Sequence, residues 1–515
     1  MAEGFVDSVD FKMGMRYGRP DSRTIHSEER MIKILSICAL IAVLYGPVSS
    51  EVTRQDVLNA MTRATEYFRR EIATEGGYLW RYKDDLSLRD GEGVATEAMI
   101  WVQPPGTPAV GVAMLDAYEA TQDTLYLNGA IQAARALVWG QLSTGGWDYR
   151  IDFGPESSKR WHYRRDVEAG DSDPGDRRHS SVFDDDNSQS AMRLLMRIDR
   201  LLDFKDSEIH GAVEFGLNAF LRVQYPNGAW PQRWESDPDP EKYPVLKARY
   251  PDEWSWTWPD INYRDYYTFN DNAISDVIDV MLEAHRTYGD ERYLNAALKA
   301  GDFMILAQMP DPQPSWAQQY NHRMEPAWAR KFEPTSVTGG ESFGVMRSLI
   351  DLYVHTGQKR FLDPIPSALA WAKQSMLPDG RMARFYELKT NTPLYFVRDT
   401  YELTYNDADM PTHYAFKVDG GRVDRIEAYY ARVNSEDREA IGAEQLARWT
   451  GTVTAENQAE IANMVATLDE KGRWVEDGEM RARERGGPRI PAQVISSRTY
   501  IQRLRAMARF VALME

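Results

Sequence analysis

Through the body of the chain, apolar residues recur every three or four positions. Ile274, Val277, Ile278, Met281 and Leu282 form one such stripe. That period predicts amphipathic α-helices rather than strands. The helices read as pairs. Each pair has a short polar joint and is followed by a long loop rich in Trp, Pro and Gly. Three joints align, and each sets an aromatic-Leu pair at the start of the second helix: Tyr126-Leu127, Tyr293-Leu294 and Phe361-Leu362. A fourth pair is predicted over Asp186–Asp203 and Ser207–Val223. The second helices also end alike, as in Gln141-Leu-Ser-Thr-Gly-Gly-Trp147 and Gln224-Tyr-Pro-Asn-Gly-Ala-Trp230. Gly and Pro there stop the helix and open a loop.

Repeated antiparallel hairpins with apolar faces predict an all-α fold, an α/α toroid. We expect a catalytic toroid over 51–400. A helical C-terminal region packed on it would occupy 401–515, with a hairpin over Thr404–Val418 and an amphipathic helix over Val494–Leu513. First-helix starts and the loops after second helices then share one end of the ring, so polar side chains at those places should converge.

Upstream, Met31–Ser50 has Arg30 and Lys33 before an apolar run, then Gly46-Pro47 and small residues. This is the layout of a signal peptide, too short for a comfortable membrane span. The expectation is a secreted protein, extracellular or periplasmic. Its mature chain would begin near Glu51 and keep no stable membrane association. Residues 1–30 read as an upstream extension. Cys38, the single cysteine, would leave with the leader, which excludes disulfides and cysteine zinc sites from the mature protein.

Of 515 residues, 61 are Lys or Arg and 78 are Asp or Glu, a net charge of −17. Such a chain is a poor nucleic-acid binder. A local cationic cleft or a bound cation can still accept an acidic substrate. Asp184-Asp185-Asp186-Asn187 precedes one predicted helix, and Asn270-Asp271-Asn272 stands at the equivalent start one repeat later. One Asp would serve as an N-cap. Three adjacent carboxylates repel unless a cation binds or their pKa values shift. Both readings, capping and a hard cation such as Ca²⁺, stand on the sequence alone. Downstream, Arg330-Lys331 lies between Trp328 and Phe332, and Arg384 and Arg398 add further cations.

At these residues the chain resembles the pectic acid lyases of polysaccharide lyase family ten. The resemblance runs from about residue 90 to the C-terminus. It is carried in order by Gly228-Ala-Trp-Pro-Gln232, Thr268-Phe-Asn-Asp-Asn-Ala273, Trp316-Ala-Gln-Gln-Tyr320, Ala329-Arg-Lys-Phe-Glu-Pro334, Arg384-Phe-Tyr-Glu-Leu-Lys-Thr-Asn-Thr-Pro393 and Ile495-Ser-Ser-Arg-Thr-Tyr500. It implies an enzyme that cleaves polygalacturonate by calcium-dependent β-elimination, with Arg330 as base. It implies Asp185, Asp186 and Asp271 as metal ligands, and Lys331, Arg384, Arg398, Asn187 and Trp316 as substrate-binding residues. Lys331 is the rival base, because a lysine pKa falls more readily among cations. Two other classes remain open at this point. One is a glycoside hydrolase using Asp186 and Asp271. The other is a non-catalytic uronate-binding protein. The sequence leaves the oligomeric state unknown.

Overall fold

The computed structural model describes residues 52–481 and 488–514, and the signal-peptide reading falls outside them. Thirteen longer helices carry the described chain. They are α1 (Arg54–Tyr67), α2 (Thr107–Thr121), α3 (Thr124–Trp139), α4 (Asn187–Leu201), α5 (Ser207–Arg222), α6 (Ala273–Tyr288), α7 (Glu291–Leu306), α8 (Glu341–Thr356), α9 (Ile365–Gln374), α10 (Gly421–Ser435), α11 (Arg438–Leu446), α12 (Ala455–Ala466) and α13 (Ser497–Leu513). None is long and apolar enough to cross a membrane.

The joints explain the pairing. Inner helices α2, α6 and α8 end on left-handed residues Gln122, Gly289 and Gly357. The outer helices α3, α5 and α7 start under Asp123, Asp206 and Asp290, whose carboxylates accept the backbone N–H of Leu125, Ile209 and Arg292. The fourth joint differs. Phe361-Leu362 lies in a short 3₁₀ turn (Lys359–Leu362), and Pro364 delays α9.

The tryptophan in the loop after each outer helix is structural. The indole N–H groups of Trp147, Trp230 and Trp316 each donate to a carbonyl near the end of the preceding outer helix, at Leu137, Phe220 and Met304, all at 2.8 Å. Gln141, Gln224 and Gln308 each bond the loop and also a carbonyl of the next repeat, at Ala212, Ala296 and Pro364. Gly145 and Gly228 sit at φ of +102° and +100°, a region that favours glycine.

Packing in order α13–α2–α4–α6–α8–α10 forms an inner ring, and α1, α3, α5 and α7 form an outer layer. The fold is an α/α toroid. The C-terminal region enters the ring itself, since α10 and α13 are two of its inner helices. The hairpin expected over Thr404–Val418 does not form. Leu403–Thr404 pairs with Pro393–Phe396, and Lys417–Asp419 pairs with Arg381–Ala383. Short antiparallel ladders join the strand before each inner helix to the strand after its outer helix. Ser181–Val182 meets Arg233–Trp234, Tyr267–Thr268 meets Gln319–Tyr320, and Val337–Thr338 meets Phe385–Tyr386. These ladders hold the inner-helix starts beside the long loops.

Candidate active site

Two matched turns build the floor of the site. Asp185 and Asp186 have φ of 55° and 56°, and Asp271 and Asn272 have 49° and 56°. Consecutive left-handed residues other than glycine are tolerated best by Asp and Asn. Asp186 and Asn272 occupy the cap positions of α4 and α6, but neither side chain makes a capping hydrogen bond. The capping reading therefore fails for Asp186 and Asn272.

Asp184, Asp185 and Asp271 converge, with one carboxylate oxygen from each lying within 4.8 Å of the others. Asp184 is fixed by Tyr149 Oη at 3.0 Å and Gln232 Nε2 at 2.8 Å. Burial first, then the charges of Asp184 and Asp271, push Asp185 up to about 7. Burial and Asp184 push Asp271 up to about 6, with Arg330 acting against them. Three mutually repelling carboxylates make a donor set suited to a hard divalent cation. The adjacent Asn270 Oδ1 is buried with no hydrogen-bond partner.

Asp186 is a correction. Its Oδ1 accepts from Arg193 at 2.6 Å, and it stands apart from the converging trio. Asp184 takes the place that the sequence reading gave it. In a hydrolase pairing of Asp186 with Asp271, Asp186 would have to act while ion-paired with Arg193.

The loop after α7 brings Arg330 to the same cavity, about 300 Å³ in volume and lined by Asp184, Gln232, Tyr263, Asn270, Gln318 and Arg330. Gln318 is 3 % exposed, and neither of its amide atoms has a partner. Arg330 forks onto Glu333, Nε at 2.9 Å and Nη2 at 2.5 Å, above the Phe332 ring. Burial alone would lower its pKa, but the Glu333 hydrogen bonds and charge hold it above the ordinary value. Tyr414 Oη also donates to Glu333, at 3.0 Å. Arg384 pairs with Glu341 and lies 4.3 Å over the Tyr414 ring. It lines an adjoining cavity of about 740 Å³ with Asp271, Glu341 and Arg422.

The remaining assignments move elsewhere. Lys331 is exposed and its Nζ sits 3.8 Å over the Tyr401 ring, outside both cavities. Arg398 pairs with Asp409 at 2.7 Å and lines neither. Trp316 is 0 % exposed and is a core pin, not a stacking platform. Asn187 is buried and donates to the Trp147 carbonyl at 2.9 Å. Of the cations expected around Arg330 only Arg384 remains, and the cavity gains Arg264 and Arg233, the latter 3.9 Å from Asp184. Sequence reasoning placed Asp184 and Asn270 in the two acidic turns without giving either a role of its own, and it missed Gln232, Gln318 and Tyr414 as site residues. Aligning the two turns residue by residue could have singled out Asp184 and Asn270.

Residues 152–383 match the family model described as pectic acid lyase. Among solved structures, a mutant family 10 polysaccharide lyase from Cellvibrio cellulosa in complex with trigalaturonic acid is 19% identical. It covers 63% of this chain and 98% of its own, with a TM-score of 0.43. Cellobiose 2-epimerase from Bacillus thermoamylovorans B4167 is 13% identical, covering 89% and 98%, with a TM-score of 0.43. A D-mannose isomerase is 12% identical, covering 89% and 97%, with a TM-score of 0.42. No curated protein matches the chain.

Proposed function

Because residues 152–383 of this polysaccharide lyase belong to the pectic acid lyase family, we propose that its substrate is polygalacturonate and its reaction a calcium-assisted β-elimination. The observation that carries the proposal is the converging trio Asp184, Asp185 and Asp271, of which Asp184 lines the cavity that also holds Arg330 and Asp271 lines the cavity that holds Arg384. Calcium, when bound, supplies positive charge to a uronate carboxylate and to the enolate-like charge that grows beside it. Asp184, Asp185 and Asp271 would hold it, and Asn270 Oδ1 offers a further oxygen.

The chain's own groups do the rest. Arg384 holds a substrate carboxylate. Gln318, buried and unpartnered, orients a sugar hydroxyl or carboxylate, since a buried amide left unpaired costs about 1–3 kcal/mol. Arg330, once its own proton has passed to solvent, takes the C5 proton as the C4–O bond breaks and the C4–C5 double bond forms, and the departing oxygen takes a proton from water. Glu333 fixes the guanidinium plane, and in the substrate-free protein it keeps Arg330 protonated. Export by the Met31–Ser50 segment belongs to the same proposal. The test is turnover of polygalacturonate with added calcium and after its removal by chelation. Equal activity in both would end the calcium assignment.

Two further results are expected. Asp184→Asn and Asp271→Asn should each weaken calcium binding at least about tenfold by calorimetry, from loss of one charged oxygen ligand. Asp186→Asn should leave calcium affinity unchanged and lower stability instead, because the Arg193 charge loses its partner. The reverse pattern would return Asp186 to the metal site.

The raised carboxylates set a pH dependence. Folded Asp185 and Asp271 keep protons that the unfolded chain releases near pH 4. The folded state thus binds more protons between about pH 4 and pH 7, and stability falls as pH rises through that window. Asp185→Asn removes the penalty. In calcium-free buffer at pH 8 its Tm should exceed that of the natural chain, and calcium should close the gap by stabilising the natural chain more. A lower Tm for Asp185→Asn at pH 8 would mean that the carboxylate is not strained.

A further inference from the structure

The inner helices all start at the active end, so their C-terminal turns gather at the opposite end. On α4, Arg200 lies 14 residues past Asp186, about 21 Å along the helix at 1.5 Å per residue. There α11 packs against the end of α8. Arg438 Nη1 donates to the Val354 carbonyl at 2.6 Å, and Gln445 Nε2 donates to Asp351 at 2.9 Å. Beneath α11 and the segment after it lies a pocket of about 580 Å³. Five of its lining residues are arginines, Arg197, Arg200, Arg286, Arg448 and Arg505, against Asp116 and Glu283. In a chain of net charge −17 this concentration of positive charge stands out.

Part of it is a structural clasp. Asp116 accepts from Arg197 at 3.0 Å, from Arg448 at 2.5 Å and from Arg505 at 2.9 Å. Glu119 shares the first two. The clasp ties α2, α4, α13 and the segment after α11, but it does not use up the guanidiniums. Arg197 is 8 % exposed, and its Nε is buried without a partner. Arg200 and Arg286 make no ion pair and no side-chain hydrogen bond among the described residues. Trp449, half-buried, forms part of the wall. A concave pocket of this size with two unspent planar forks, on the exposed side chains of Arg200 and Arg286, is suited to bidentate recognition of carboxylates.

We propose that this rear pocket, which shares Gln445 with the cavity holding Asp271 and Arg384 but none of the acidic trio, is a second anion site that binds a small ligand bearing two or more carboxylates. The ligand is either an acidic oligosaccharide or a free polycarboxylate. The acidic-sugar source rests on the proposed function, whereas the site itself does not.

The test uses the full chain with Asp271→Asn to suppress turnover, titrated by calorimetry with trigalacturonate, citrate and inorganic phosphate separately. The comparison protein also carries Arg200→Ser and Arg286→Ser, which leave the Asp116 clasp intact. At least one of the two carboxylate probes should bind about tenfold more weakly to the comparison protein, at unchanged Tm. Trigalacturonate alone doing so identifies an acidic sugar, and citrate alone a free polycarboxylate. In the otherwise natural chain the same two serines should leave polygalacturonate turnover unchanged. Affinities for both carboxylates that do not respond to the two substitutions, or a response confined to phosphate, overturn the proposal. A chain inactive on polygalacturonate whose carboxylate binding still depends on Arg200 and Arg286 would defeat the proposed function and leave the rear site standing.

Discussion

Arg330→Lys should lose about 10²–10⁴ of turnover on polygalacturonate, the usual cost of removing a proton-transfer group. KM should change little, because Arg384 and the acidic trio remain. A lysine keeps the charge but not the planar fork that Glu333 grips at two points. Glu333→Gln probes the same pair from the other side. Glu333 raises the Arg330 pKa, and a base acts only when deprotonated. Removing that negative charge should therefore shift the rising limb of kcat against pH to lower pH, even as the maximum falls from lost orientation. A limb that stays in place while kcat drops would make Arg330 a fixed cation and put the base elsewhere. Lys331→Ala should leave kcat unchanged, since Lys331 lines neither cavity. Loss of turnover in that variant alone would exchange the two roles.

Trp316→Ala should cost about 3–5 kcal/mol of stability, the range for deleting a fully buried indole. Trp316→Phe should cost about 1–3 kcal/mol, mostly from leaving the Met304 carbonyl without its donor. Denaturant unfolding measures both, and the KM of whatever folded Trp316→Phe enzyme survives should match that of the natural chain. A raised KM at unchanged stability would put Trp316 back in the cleft.

These residues show what the sequence could and could not reveal. The ring was legible because one joint chemistry, a left-handed residue followed by an Asp cap, recurs along the chain. Asp271 and Asp185 were legible because one turn appears twice at equivalent helix starts. Asp186 was not, since two successive left-handed residues turn its carboxylate toward Arg193, and no local pattern reports that rotation. Trp316 was misread because an aromatic residue near a loop suits both a sugar platform and an indole pin. Only the repeated indole–carbonyl bond separates the two. The places of α10 and α13 among the inner helices were hidden because neither carries the joint motif. Their place is set by packing against α8 and α2, contacts between residues far apart in sequence. The carboxylate partner of Arg330 was legible in outline, because Glu333 stands three residues away.

The central claim is elimination on polygalacturonate at the Asp184–Asp185–Asp271 and Arg330 cavity, and the nature of the new chain end tests it most directly. Each cut made by elimination leaves a C4–C5 double bond conjugated to the carboxylate, which absorbs in the ultraviolet, and a product pair lighter by one water than hydrolysis would give. Mass spectrometry of polygalacturonate digested with calcium should find unsaturated oligouronates, and the Arg330→Ala and Asp271→Asn chains should make few or none. Saturated products carrying an added water, or no cleavage by the natural chain, would contradict the account.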